Sequence, residues 1–166
     1  DEELPEEIYE ELVGQVLTKR AKLRAMHLLE KMDRTRAELK KKLEQSGYPT
    51  KAVEEALEYV ESFHYIDDVR YAARYIEFQK SKKGKARLKM ELLQKGISAE
   101  IVARALEEAE EQMDAKETIR KMLQSKRKGE GAMEEKEKQR LYGFFMRKGF
   151  SSSEILSVFR EISDKE

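Results

Sequence analysis

The chain has 166 residues, of which 41% are charged and 8% aromatic, and its 34 basic and 34 acidic residues leave no net charge. No run of about eighteen apolar residues is present, so the sequence predicts no membrane-spanning helix. The absence of cysteine excludes a disulfide framework, a thiol nucleophile and a Cys-ligated zinc, and it fits a reducing compartment. The first residue is Asp1 rather than methionine, which leaves open a segment before it.

The first predicted elements are a helix over residues 6–32, a second helix that ends at Gly47, and a third helix directly after that glycine. Thr35 and Glu38 have the spacing of a capping box, which places the start of the second helix there. Thr50 is the candidate N-cap of the third helix. This order of helix, helix, glycine turn and helix then recurs along the chain.

The second set of elements begins with a helix over residues 67–81. Asp67 and Asp68 suit the positive N-terminus of that helix better than they suit a metal site. The next helix ends at Gly96, and Ser98 is the candidate N-cap of the helix that follows. The pattern therefore matches that of the first set.

The third set begins with a helix over residues 114–127. Residues 126–136 contain two glycines and mixed charges, which predicts a flexible link. The helix after this link ends at Gly149, and Ser151 with Glu154 forms a capping box for the last helix.

The three glycines align as one column, with spacings of 49 and 53 residues. Glycine supplies the left-handed residue that ends a helix in a Schellman motif. Apolar residues recur eight and four residues before each glycine and directly after it, with the period of amphipathic helices. These residues are Leu39, Leu43 and Tyr48; Leu88, Leu92 and Ile97; and Leu141, Phe145 and Phe150.

The sequence therefore predicts an all-α fold of three tandem three-helix repeats in an extended, curved array, with a long N-terminal helix. The predicted divisions are an N-terminal helical extension over 1–24, repeat 1 over 25–66, repeat 2 over 67–113 and repeat 3 over 114–166.

Basic residues cluster between the first and second helices of each repeat, whereas the third helices of the first two repeats are acidic. The strongest cluster has seven cations against one anion over residues 80–95. A charged helix face is usually only solvated, but a run with so few acids favours a binding surface. The candidate partner- or DNA-binding residues are Lys82, Lys83, Lys85, Arg87, Arg34, Arg36, Lys126 and Arg127.

Two helices joined by a short glycine turn raise the alternative of a helix-turn-helix DNA reader. The helix after Gly47 would then direct Glu54, Glu55, Glu58 and Glu61 toward phosphates, so groove reading is disfavoured. A basic corner could still contact a DNA backbone without reading bases. A stand-alone, sequence-independent DNA-binding module and a scaffold for other proteins both stay open on these residues.

Enzyme chemistry has no signature here, since no phosphate-binding loop, dinucleotide fingerprint or HExxH spacing is present. His27 and His64 are far apart in the sequence and are interpreted as a helix-face and a helix-end residue. Tyr71, Tyr75 and Phe78 have helical spacing and are predicted to be core residues. We expect no catalytic residue, no metal and no cofactor.

Three blocks of the sequence resemble the RecX family, the regulators of bacterial RecA recombinase. The similarity is densest in the middle of the chain and weaker toward its end. The blocks are RTRAELKKKLEQSGYPTKAVEEAL (34–57), YIDDVRYAARYI (65–76) and KGKARLKMELLQKGIS (83–98).

The resemblance implies a non-enzymatic, cytoplasmic modulator that binds RecA or the RecA–DNA filament and inhibits its ATPase and recombinase activities. We expect contact with the filament, and contact with its DNA backbone stays open as well. We also expect no membrane association and a monomeric chain. Tight, salt-sensitive binding to DNA alone would favour the stand-alone DNA module. Capture of partners without nucleic acid would favour the scaffold.

Overall fold

A computed structural model describes residues 5–127 and 129–164, and of Asp164 only the backbone. These residues form helices joined by short turns and one longer link, with no strand among them, so the predicted all-α class is confirmed. A 3₁₀ turn, Glu110–Gln112, follows the sixth helix. The α-helices are α1 (Glu6–Lys31), α2 (Arg36–Gln45), α3 (Thr50–Ser62), α4 (Asp68–Gln79), α5 (Lys85–Gln94), α6 (Ala99–Ala109), α7 (Ala115–Lys126), α8 (Glu135–Arg147) and α9 (Ser152–Asp164).

The predicted glycine turns are confirmed at all three positions. Gly47, Gly96 and Gly149 have φ values of +88°, +85° and +93°, in the left-handed region that glycine adopts at low cost. At Gly149 the Schellman pattern is complete, because its N–H donates to Met146 (3.0 Å) and the next N–H donates to Phe145 (3.2 Å). Each turn therefore ends the second helix of its repeat and starts the third.

Three of the four predicted side-chain caps are confirmed. The side chains of Thr35, Ser98 and Ser151 each accept a hydrogen bond from the backbone N–H three residues later. The prediction for Thr50 is wrong, because Thr50 is the first residue of α3 and Pro49 is its N-cap. Proline at this position fixes an extended entry into the helix without any side-chain acceptor.

The chain divides into two compact units. One contains the described residues up to Tyr71 together with Lys95–Ile97, and its core joins α1 to α2 and α3 through residues such as Leu28, Leu39 and Leu57. The other contains Ala72–Gln94 and the described residues from Ser98 onward. Its core includes Ile119, Leu123, Leu141, Phe145 and Ile155.

Each unit contains one hydrogen-bonded contact between the start of a helix and a glycine turn, which we call a joint. In the first unit the fully buried Thr35 donates its hydroxyl to the carbonyl of Lys95 at 2.7 Å. In the second, the N–H of Gly84 donates to the carbonyl of Lys148, also at 2.7 Å. Thr35 and Gly84 each lie twelve residues before the glycine of their own repeat. Both joints thus satisfy a carbonyl at a helix C-terminus that the helix itself leaves without a partner.

Glu91 ties the start of α5 to α4. Its carboxylate accepts hydrogen bonds from Lys83 (2.8 Å to each oxygen), from Arg87 (2.9 Å) and from the Tyr75 hydroxyl. Burial alone would raise the pKa of Glu91, whose side chain is only 12% exposed. The three donors outweigh burial and lower that pKa from 4.5 to about 2.

Alanine at Gly149 should destabilise the fold more than alanine at Gly47. Both glycines have positive φ, which costs an L-residue roughly 1–2 kcal/mol. A Cβ at Gly47 would meet open space, whereas a Cβ at Gly149 would overlap the backbone of Arg87, which adds about 1–3 kcal/mol of overpacking. Urea unfolding measures both free energies. Equal losses at the two positions would mean that the joint at Gly149 does not form.

Replacing Glu91 with Gln should lower the free energy of unfolding by about 1–3 kcal/mol at pH 7, because the pKa of Glu91 is depressed in the folded state. Its stabilising effect is complete above pH 4.5 and is lost as the pH falls from 4.5 toward 2. The difference in free energy of unfolding between wild type and Glu91→Gln should therefore disappear over that range. Glu108→Gln, at an exposed position, is the matched control and should change the free energy of unfolding by less than about 0.5 kcal/mol at pH 7. A difference between wild type and Glu91→Gln that stays constant with pH would contradict the hydrogen bonds assigned to Glu91.

Candidate partner-binding surface

The strongest predicted cation cluster lies where α4 ends and α5 begins. Lys83 has a side chain that is only 20% exposed and is held by Glu91, which also binds Arg87. Lys85 forms an ion pair with Glu110 at 3.2 Å. The expectation that this run lacks compensating acids is therefore wrong for the folded chain, because the largely buried Glu91 and the distant Glu110 neutralise three of its cations.

Two cations of this cluster remain available to a partner. Lys82 and Lys89 are exposed, and within the part of the chain that the structure describes neither side-chain ammonium group has a hydrogen-bond or ion-pair partner. Lys82 was predicted as a binding residue, whereas Lys89 was not. The spacing could have indicated Lys89, since the i, i+4 relation of Arg87 and Glu91 already predicts an ion pair on α5 that leaves Lys89 outside it.

Two cations of the first cluster are neutralised by the acidic helix of its own repeat. Arg36 pairs with Glu54 at 3.1 Å and with Glu61 at 2.7 Å, and Lys40 reaches the other oxygen of Glu54 at 3.2 Å. Hydrogen bonds from Lys40 and Arg36 lower the pKa of Glu54. The buried Nε of Arg34 has no hydrogen-bond partner in the structure. The basic residues of α2 and the acidic residues of α3 thus form one network of ion pairs in this repeat.

The third cluster lies at the C-terminal end of α7. Lys126 places its ammonium 4.9 Å from the centre of the Phe144 ring, and Lys148 lies 5.7 Å from the same ring. Such cation–π contacts hold both ammonium groups near one half-buried aromatic ring. Arg127 pairs with Glu137 at 3.4 Å and donates to the carbonyl of Gly131. Lys128, the next basic residue in the sequence, lies outside the described residues.

The interpretation of the acidic pair at 67 and 68 as capping residues of the helix that follows them is confirmed for Asp67 and wrong for Asp68, which caps a different helix. Asp67 accepts from the N–H of Arg70 at the start of its own helix, at 3.1 Å. Asp68 instead accepts from the N–H of Arg36 at 2.9 Å, and so caps α2. Among the described residues no group of three His, Asp or Glu side chains could hold a metal ion.

The histidine and aromatic predictions have mixed outcomes. His27 and His64 are both exposed, and His64 lies in the turn after α3 with φ +57°. Tyr75 is half-buried, with its hydroxyl on Glu91. The prediction of a core position is wrong for Phe78, which is 78% exposed because it lies on the side of α4 opposite the buried Ala72 and Ile76. No helix among the described residues is long and apolar enough to cross a membrane.

Models of three RecX domains match the chain in consecutive order. The first three-helix domain of RecX matches residues 21–59, the second matches 67–106 and the third matches 114–159. These ranges contain the three glycine turns and most of the cation clusters described above.

Relatives of known name give the same result. The chain is 32% identical to the regulatory protein RecX of Vibrio campbellii over 149 residues, which cover 89% of this chain and 94% of that protein. It is 31% identical to the regulatory protein RecX of Clostridium acetobutylicum over 146 residues, or 86% of this chain and 68% of the relative. The chain thus spans about two thirds of the length of that clostridial relative.

Two solved structures share the fold. A crystal structure of RecX from Lactobacillus salivarius matches with a TM-score of 0.74 at 21% identity, over 90% of this chain and 98% of that one. A crystal structure of a regulatory protein RecX matches with a TM-score of 0.77 at 28% identity, over 98% of this chain and 80% of that one. The sequence, the order of its three domains and the fold agree, and the chain belongs to the RecX family of regulatory proteins.

Proposed function

We propose that the chain binds the RecA recombinase as a filament on DNA and lowers its ATPase and recombinase activities. The observation that carries this proposal is the presence of all three RecX domains in consecutive order, over residues 21–159. The partner and the inhibitory sign follow from what the RecX family implies. Such a partner places the chain in the cytoplasm, in keeping with its lack of cysteine.

The α4–α5 junction is the surface that we assign to the filament. Lys82 and Lys89 are exposed cations without ion pairs to any described residue, and Arg87 keeps 42% of its side chain exposed while it binds Glu91. Glu91 holds Lys83 and Arg87 in place, so the junction presents its charge from a fixed position. Acidic protein surface and phosphate are both attracted to a patch of this kind.

The effect on the filament follows from occupancy rather than from chemistry. A regulator that binds the filament blocks it in proportion to the fraction of sites filled, and it is not consumed or turned over. The described residues contain no metal-binding trio. We propose no catalytic residue and no cofactor for this chain.

The test is the RecA ATPase on single-stranded DNA, titrated with this chain. Activity should fall with the molar ratio of chain to RecA and level off near saturation of the filament. The variant Lys82→Glu/Lys89→Glu should inhibit at least about tenfold less well, because like charges then face an acidic surface. Its melting temperature should barely change, since both side chains are exposed.

The matched control is Lys51→Glu/Arg104→Glu. These cations are also exposed, they carry the same charge change, and they lie on the acidic helices α3 and α6. This control should inhibit as the parent does. No inhibition by the parent would contradict the function, whereas equal inhibition by all three proteins would contradict only the assigned surface. Tight, salt-sensitive binding of the parent to DNA without RecA would instead favour a stand-alone DNA module.

A further inference from the structure

Helix α1 has an apolar stripe on the side that faces away from its own core. Ala21, Ala25 and Leu28 bury one side of the helix. Tyr9, Val16 and Leu23 follow one another at intervals of seven residues, and at about 100° per residue they fall on a line opposite Ala25. The three side chains are 60%, 52% and 63% exposed.

Further exposed side chains widen this stripe. Leu12 and Val13 lie between Tyr9 and Val16 on the same side and are also exposed. Apolar residues at intervals of seven, flanked by charged residues, are the pattern of a helix that packs against another helix. Within the described structure no element covers this side of α1.

The charges of α1 indicate which helix would fit. Residues 6–11 contain four glutamates and no basic residue, whereas residues 19–24 contain four basic residues and no acid. A second copy of α1 laid parallel would set like charges against like. A second copy laid antiparallel would set each acidic end against a basic end, at both ends of the pair.

One register satisfies several of these pairs together. Glu6 and Arg24 are equally distant from Gln15, and so are Glu10 and Arg20. Glu6 and Arg24 are also eighteen residues apart, which is five turns, so they lie on one flank of the helix. In antiparallel helix pairs the same flanks of the two helices meet. A two-fold axis near Gln15 thus brings each glutamate to an arginine of the other copy.

We propose that two copies of this chain form a homodimer through antiparallel pairing of their α1 helices about an axis near Gln15. Val13 and Val16 of both copies pack closest to the axis, and Tyr9 of each copy lies beside Leu23 of the other. The pairing uses only the exposed side of α1 and leaves the contacts of Ala21, Ala25 and Leu28 with their own core in place. It replaces the monomer expected from the sequence.

Engineered cysteines test the direction of pairing, because the chain has none of its own. Under mild oxidation Val16→Cys should form a disulfide-linked dimer. Tyr9→Cys alone and Leu23→Cys alone should not, but an equal mixture of these two variants should. Parallel pairing would instead link each variant to itself. Either that result or no linkage of Val16→Cys would overturn the proposal.

Charge reversal tests the register by sedimentation equilibrium. Glu6→Lys/Glu10→Lys and Arg20→Glu/Arg24→Glu should each raise the dimer dissociation constant at least about tenfold, and their mixture should dimerise as the wild type does. Circular dichroism checks that both variants stay helical. A wild-type chain that stays monomeric up to about 100 μM, where even a weak interface assembles, would overturn the proposal. So would a mixture that does not associate.

Discussion

The fold depends on a joint in which the carbonyl before a left-handed glycine receives a hydrogen bond from the start of another helix. Thr35 supplies the donor from a side chain and Gly84 supplies it from the backbone, yet the oxygen–donor distance is 2.7 Å in both. The glycine serves two needs there, since Gly149 must adopt a positive φ and must also leave room for Arg87. At Gly47, where the space is open, only the backbone angle requires glycine.

Local signals explain why so much of this fold could be predicted from the sequence. Each of these signals depends on residues a few positions apart. They are the glycine turns, the capping box at Ser151 and the buried apolar residues before each glycine, such as Leu39 and Leu43. What could not be predicted depends on distant residues. Asp68 caps α2 across 32 residues of chain, and Phe78 is exposed because the buried side of α4 is the one that carries Ala72 and Ile76.

The candidate surface shows the same division. Counting charges along the chain identified the α4–α5 junction but could not tell which cations were neutralised. Lys85 is paired with Glu110 and Arg36 is paired with Glu54, and in each pair the two residues lie far apart in the sequence. Exposed pairs of this kind add little to stability. Their consequence is for function, because they reduce a broad basic run to a few cations that a partner can reach.

Lysine footprinting of the complex with RecA filaments is the direct test of the α4–α5 junction as the contact surface. We expect Lys82 and Lys89 to lose most of their reactivity toward an amine-specific reagent when filaments are present. Lys51, on the acidic helix α3, should react equally in both states. Unchanged reactivity at Lys82 and Lys89 under conditions where the chain inhibits the filament would contradict the assignment of this junction as the contact surface.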